Sequence, residues 1–525
     1  MLGGIRTAAD AATVLLGWTF RSRTKNKISE SRIGFAPNEI GGRMVTVAPK
    51  KVNARRWSLL SGALMFACLV VAIVLGDTPA AYTLPIHKVV AIPAFARKYG
   101  LPCSACHTAW PKLNNFGMTF RDNGYQLMND RDSPIYQNPS YFPITMRITP
   151  NWHLEHNTNQ AVDTTPGNGA TAGSSNVTTH GFDLSGIDLW TAGTLYNNIS
   201  FSLLPSSDEN ASFHFENAFV RFDNLKGSSW FNFKFGKFEL NNLISEKRFL
   251  FLSANGGSYQ SYHFVPPGDT NDFGMGDNQI GVELMGHSKN DYTRYSVAVL
   301  SANDGNVDFL SAFGTPSGRT YDTYLTFDQA FDLGSFGIQR VGGYAYIGER
   351  PTYYQTGGGT PLYGIGNKPF YRVGFTGDLN FGKLNVMPFY MHGHDNVFLG
   401  NGVPSNMASS LPAGAQGPAW NAGFVEFGYY QSPQLVIIGR YELVRMQAQA
   451  NSANPSNLGN IDAYAVGFRW YPIMFSRAGL ALHTEYAITK NIGIAPLSGT
   501  GSASVNPNDP TVWSSSFMVG FDFDF

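Results

Sequence analysis

Along residues 141–525, apolar and polar side chains alternate in short segments with a period of two. The last segment is the clearest. Phe517, Val519, Phe521, Phe523 and Phe525 fall on one face, and Met518, Gly520, Asp522 and Asp524 on the other. The first behaves alike: Phe142, Ile144, Met146 and Ile148 alternate with Thr145, Arg147, Thr149 and Asn151. Successive side chains of a strand point to opposite faces, so each segment predicts a β-strand with one apolar and one polar face. From about 141–154 to about 514–525 there are sixteen such segments.

The connectors alternate in length. Tight turns at Tyr196-Asn197, Asp332-Leu333-Gly334, Asn380-Phe381-Gly382 and Gln431-Ser432-Pro433 are separated by long Gly/Ser/Asn/Pro stretches such as 155–179, 239–277, 393–418 and 489–513. A soluble two-sheet sandwich has no reason to alternate in this way. A transmembrane barrel does, with short periplasmic turns, long outer loops and an even strand count. The expected fold is therefore all-β: an outer-membrane antiparallel barrel of about 16 strands, its aromatic face toward lipid and its polar face lining the lumen. Lumen-facing positions then include Arg147, Lys234, Arg372, Glu426, Arg440, Glu442, Arg469, His483 and Glu485, whose charges neutralise one another or hold a segment inside. The longest inter-strand loop, 239–277, carries Glu246, Lys247 and Arg248 and is expected to fold inwards.

One long apolar run precedes this region. Arg55-Arg56, the run Ser58 to Gly76, and Ala80-Ala81 form the three-part secretory signal pattern. The run is just long enough to be an uncleaved anchor, but release of a barrel to the outer membrane calls for cleavage near Ala80. The expected boundaries are an N-terminal extension over 1–54, with the translation start near Met44; a signal peptide over 55–80; a short segment over 81–140, mainly helical; and the barrel over 141–525.

Composition agrees with export and with a membrane. Charged residues make up 14% of the chain, against about 25% in soluble domains. The formal charge of zero is an average of two unlike parts. Residues 1–57 hold eleven Lys and Arg against three acids, and the remainder holds 26 against 34. No basic patch argues for nucleic acid.

The segment 81–140 carries the chemistry. Cys103-Ser104-Ala105-Cys106-His107 is C-x-x-C-H, the attachment sequence of a c-type haem, with two thiols for the vinyl groups and His107 as proximal ligand. The third cysteine, Cys68, lies in the signal run. A zinc site would need a second ligand pair, a thioredoxin-like dithiol a surrounding βαβ pattern, and a plain disulfide leaves His107 unexplained. About sixty residues are too few for a large core of their own. One covalent haem and the barrel wall are expected to complete the segment, in the lumen or the periplasmic mouth. A short helix is expected between Pro93 and Gly100. Trp110, Leu113, Phe116, Phe120 and Tyr125 form an apolar stripe for packing on haem or on protein, and Gly117 and Gly124 allow close backbone approach. Met118 is the nearest candidate for the distal ligand, with Met128, His87 and Met146 behind it, and thioether ligation would raise the reduction potential; packing of Met118 on protein and an open sixth site are the alternatives. A second, external metal site is expected at His392, His394 and Asp395, where a strand meets its outer loop; solvated loop residues are the alternative.

At Phe95-Ala-Arg-Lys-Tyr-Gly100, Cys103 to His107, Leu113-Asn-Asn-Phe-Gly117 and Gly124-Tyr125, the chain resembles the fused outer-membrane monohaem cytochrome–porins of iron-oxidising bacteria. The resemblance covers the haem segment by motif and residues 141–525 by architecture. It implies one N-terminal haem c on Cys103, Cys106 and His107, an extracellular electron donor, which is Fe(II) in the iron-oxidising members, and a periplasmic cytochrome or other redox carrier as acceptor. The expected function is an electron conduit across the outer membrane, oxidoreductase-like in its oxidation of Fe(II). The alternatives are a haem-plugged solute porin and electron export to an external acceptor. The apolar band of such a barrel is about 25 Å tall, and tunnelling falls steeply with distance, which favours a haem within the lumen.

Overall fold

The computed structural model describes residues 94–99, 101–109, 112–127, 144–163, 171–207, 212–246, 251–266, 271, 273–301, 314–315, 318–319, 321–351, 354–355, 362–363, 367–396, 417–448, 459–474, 479–492 and 511–524. The extension, the signal peptide, His87, the side chain of Cys103, and Trp110, Met128, Lys247, Arg248 and Phe525 lie outside these residues.

Sixteen strands form one closed antiparallel barrel in simple meander order. They are β1 Ile144–Asp163, β2 Thr171–Tyr196, β3 Ile199–Ser207, β4 Phe213–Phe222, β5 Asn232–Phe238, β6 Gln279–His287, β7 Thr293–Ser301 and β8 Tyr321–Asp332. Then follow β9 Ile338–Pro351, β10 Asn367–Phe381, β11 Leu384–His394, β12 Ala419–Ser432, β13 Leu435–Ala448, β14 Ile461–Met474, β15 Gly479–Asn491 and β16 Val512–Asp524. The ring closes where β16 pairs with β1, Phe517 opposite Leu154. No sheet edge is left in the barrel, which satisfies backbone groups where no water can.

The barrel is inverted relative to a soluble protein. On β16, Phe521 is 44% exposed while Asp522 is 1% exposed. Phe327, Val299, Phe375 and Tyr464 likewise point outward, and Arg221, Arg340, Glu283 and Glu442 are buried. This apolar belt over a polar lumen is the pattern of an integral outer-membrane barrel. Inward charges sit opposite one another in the ladder, as Lys234 with Glu283 and Glu426 with Arg440. All nine lumen positions read from the sequence are internal; Arg147 is half-buried against Asp188 and the other eight are buried.

One hairpin departs from expectation. β1 and β2 run into the stretch 155–179, which the sequence assigns to a loop, with Gln160 paired to Ser175 and Val162 to Gly173. Above the lipid belt both faces meet water, so alternation fades while the hydrogen-bond ladder continues.

The described residues of the loop 239–277 fold into the lumen and carry much of the apolar core with them. Phe251, Tyr259 and Phe273 are at most 1% exposed. Tyr259 stacks on Phe424 at 4.3 Å, and Phe273 on Tyr346 at 4.0 Å. The lumen charges hold this loop. Glu485 accepts from the backbone N–H groups of Leu252 and Ser253, and Glu442 accepts from the Ser261 backbone N–H (2.6 Å) and hydroxyl (2.7 Å). Arg440 donates to Gly256 O at 2.5 Å and to Ser258 O at 3.1 Å. Within the loop, Glu246 accepts from Tyr259 N at 2.8 Å and pairs with His263 at 2.6 Å.

Candidate functional site

Residues 94–127 pack against the inner wall near the short-turn ends of the strands. Their elements are short: α1 Ala94–Tyr99, α2 Cys103–Cys106, a ribbon of His107–Ala109 with Lys112–Leu113, and α3 Asn115–Asp122. Asn114 ties α2 to α3. Its Oδ1 accepts from Gly117 N at 2.9 Å, capping α3 as an N-cap asparagine does. Its Nδ2 donates to Ser104 O (3.2 Å) and Ala105 O (3.0 Å), and its backbone N–H donates to Cys106 O at 2.9 Å. Gly117 lets α3 lie directly on this loop, since a Cβ there would overlap the Cys106 carbonyl. One asparagine thus fixes the Cys103–His107 loop against the following helix.

The wall receives this unit through aromatic and ionic contacts. Phe95 stacks on Tyr125 at 5.2 Å and meets Phe120 and Trp190 of β2 edge-on at 5.1 and 5.4 Å. Asp122, buried, pairs with Arg121 at 2.8 Å and with Arg294 of β7. Arg340 of β9 donates to Asn115 Oδ1 at 2.9 Å, and Arg221 of β4 to Arg121 O at 2.7 Å. Lys112 reaches Asn385, and Met387 Sδ at 3.0 Å, on β11. Burial opposes the charge on Asp122, but the guanidiniums of Arg121 and Arg294 prevail and hold its carboxyl well below the usual range. Asp291, in the β6–β7 turn, is pushed up, first by burial and then by the Asp122 charge, against the pull of Arg294 and Arg340. Three wall guanidiniums, Arg221, Arg294 and Arg340, thus meet residues 94–127, as do the carboxylates of Asp378, 3.8 Å from Lys112, and Asp291, 3.4 Å from the Thr119 hydroxyl; the sequence singled out none of the five. A lone arginine in a strand gives no sign of what it will meet across a lumen.

Between this unit and the wall lies a cavity of about 280 Å³. Cys106 and His107 border it, with Phe95, Tyr99, Leu113 and Phe120 as its apolar side. It follows β5 from Lys234 to Phe238, about 13 Å of strand, and continues past the strand end to Asn241 and Asn242. A cavity with an aromatic and aliphatic side, a charged side that includes Arg147, Asp188, Arg221 and Lys234, and a thiol and an imidazole at its border has the chemistry to hold a flat cofactor that is apolar over most of its face, through sulfur and nitrogen. Leu113, Phe120 and Tyr125 of the apolar stripe line it, whereas Phe116 is 40% exposed. Met118 is half-buried on α3 and is not among the lining residues.

No protein-family model and no curated protein matches this chain. Solved barrels do. The anion-selective porin from Comamonas acidovorans is similar at TM-score 0.45 and 11% identity, over 73% of this chain and 99% of that one. The outer membrane channel DcaP of Acinetobacter baumannii is similar at TM-score 0.43 and 13% identity, over 73% and 97%. A loop-deleted OmpT of Vibrio cholerae is similar at TM-score 0.41 and 13% identity, over 73% and 100%.

The residues expected to form an external metal site do not converge. His392 and His394 share the outward face of β11, against Asn421 and Tyr371. Asp395 turns inward, fully buried, and binds Arg372 at 2.5 and 3.1 Å. The strand period of two separates the imidazoles from the carboxylate. Among the described residues there is no cluster of three such ligand groups.

Proposed function

We propose that this chain is an electron-transfer protein of the bacterial outer membrane, carrying one haem c on Cys103, Cys106 and His107 in the periplasmic mouth of its barrel. In this reading it belongs with the fused cytochrome–porins, accepts electrons from extracellular Fe(II), and hands them to a periplasmic carrier. The observation that carries it is the cavity bordered by Cys106 and His107 inside a transmembrane barrel. The haem would supply a one-electron redox centre there. The chain's own residues supply the rest: Asn114 sets the attachment loop, Phe95, Phe120 and Tyr125 exclude water, and Asp122 with Arg294 anchors the segment to the wall.

The packed lumen argues for a conduit of electrons over one of solutes. Tyr259, Tyr262, Phe264 and Phe273 of the inward loop form one apolar cluster with the wall, and Phe120 and Tyr125 form another with Trp190, where an open porin keeps water. The direct test mixes the purified ferric protein with Fe(II) and follows haem absorption. Reduction is expected, and its absence at acidic and neutral pH removes the Fe(II) reading. A His107→Ala protein that still oxidised the donor would take the haem out of the mechanism. Strong ion conductance in a planar bilayer would favour the solute-porin reading instead.

A further inference from the structure

We infer that Met285, on the barrel wall, supplies the sixth iron ligand, so that the two axial ligands come from separate parts of the fold. The inference rests on the reading of Cys103, Cys106 and His107 as a haem attachment site.

The cavity that Cys106 and His107 border is also bordered by Met285 of β6. Met285 is the one thioether among its described lining residues. Its inward direction follows from the strand period: Glu283 and Met285 face the lumen, and Val282 between the inward positions Gln279 and Glu283 faces out. The side chain is 6% exposed. Its backbone is held on both sides, opposite Asn232 of β5 and Ser296 of β7. The Asn232 amide also donates to its carbonyl at 3.1 Å. A ligand on a strand held in this way is a rigid one, as metal sites require.

The competing groups are engaged or elsewhere. Met118 does not line the cavity. Met387 takes the Lys112 ammonium on its sulfur. Lys234 lines the cavity, but its ammonium is paired with Glu283 and lies over the Phe219 and Phe238 rings at 5.4 and 4.6 Å. An ammonium held by a carboxylate has no lone pair to give. The Tyr99 hydroxyl donates to Tyr125 O at 3.4 Å. A thioether is neutral, does not titrate, and favours the reduced iron, which suits an acceptor for Fe(II). Ligation from the wall also makes the ligand set complete only when residues 94–127 are seated in the barrel.

The test uses the full-length haem-loaded protein, with covalent attachment checked by mass and haem stain. The ferric protein is expected to show the far-red sulfur-to-iron charge-transfer band. Met285→Leu is expected to lose that band and to titrate at a lower midpoint potential, while Met118→Leu keeps both. Met285→His is expected to return a low-spin spectrum of bis-imidazole type. X-ray absorption at the iron edge of the unmutated protein reads the same point without any variant, as one sulfur at the iron. A band that persists in Met285→Leu, a band lost in Met118→Leu, or no sulfur at the iron overturns the inference. Absence of covalent haem would overturn the reading beneath it instead.

Discussion

Asp122 and Asn114 show how much rests on single side chains in a segment too small to hold itself together. Asp122→Ala removes the closest of the ion pairs of Arg294 and leaves it to Asp291 at 3.5 Å and Asp328 at 3.9 Å, so the loss is expected below the about 3–5 kcal/mol of a buried charge left without any partner. The expected outcome is protease cleavage within residues 94–127 while the barrel stays folded, read by fragment mass. The pH dependence follows from the depressed carboxyl. Its contribution is present in full above the unfolded value of about 4 and is lost only as pH falls through the lower folded value. Protection of the segment is therefore expected to persist at about pH 4 in the native chain, and to be weaker and insensitive to this group in Asp122→Asn. Asn114→Ala removes a helix cap, worth about 1 kcal/mol, and also two bonds to the Cys103–His107 loop. Asn114→Asp keeps the cap alone. Under the proposed haem c reading, a lower yield of covalently attached haem in both variants, at similar helix content in the Asp form, would separate the two tasks. In the sequence, Asn114 was visible only as part of a motif. Its double use depends on α3 lying against the Cys106 carbonyl, which spacing does not reveal.

At the scale of elements, the inward loop decides what the lumen is. Glu485, Glu442 and Arg440 were legible as lumen charges because strand alternation forces them inward. That they grip the loop, and leave the N-terminal segment to other charges, was not legible, because their partners are backbone groups more than 180 residues away. The native barrel is expected to pass little ion current. Excising residues 243–275 is expected to raise single-channel conductance several-fold, and an unchanged current would show that residues 94–127 alone close the pore. The strand pair β1–β2 makes a related point. Its upper half is polar on both faces, so only pairing identifies it as sheet.

For the whole molecule, the belt of outward apolar side chains fixes its place in a bilayer. Phe327 is mid-strand on β8 and 55% exposed. Phe327→Arg is expected to cost about 2–4 kcal/mol of stability, the usual range for a cation near the bilayer midplane, measured by refolding into lipid vesicles. The same belt is why the barrel could be read at all. Alternation with period two, the tight turns and the even strand count are local properties, repeated sixteen times and closed by pairing of neighbours in sequence. The sequence by itself therefore determined the strands, their order, the lipid and lumen faces, and the C-x-x-C-H loop. Only the tertiary structure decided what fills the lumen: the loop 239–277 on Glu442 and Glu485, residues 94–127 on Arg294 and Arg340, and a cavity that His107 shares with Met285. The physical reason is that a strand's own pattern states which side chains point inward, while what they meet there comes from distant parts of the chain.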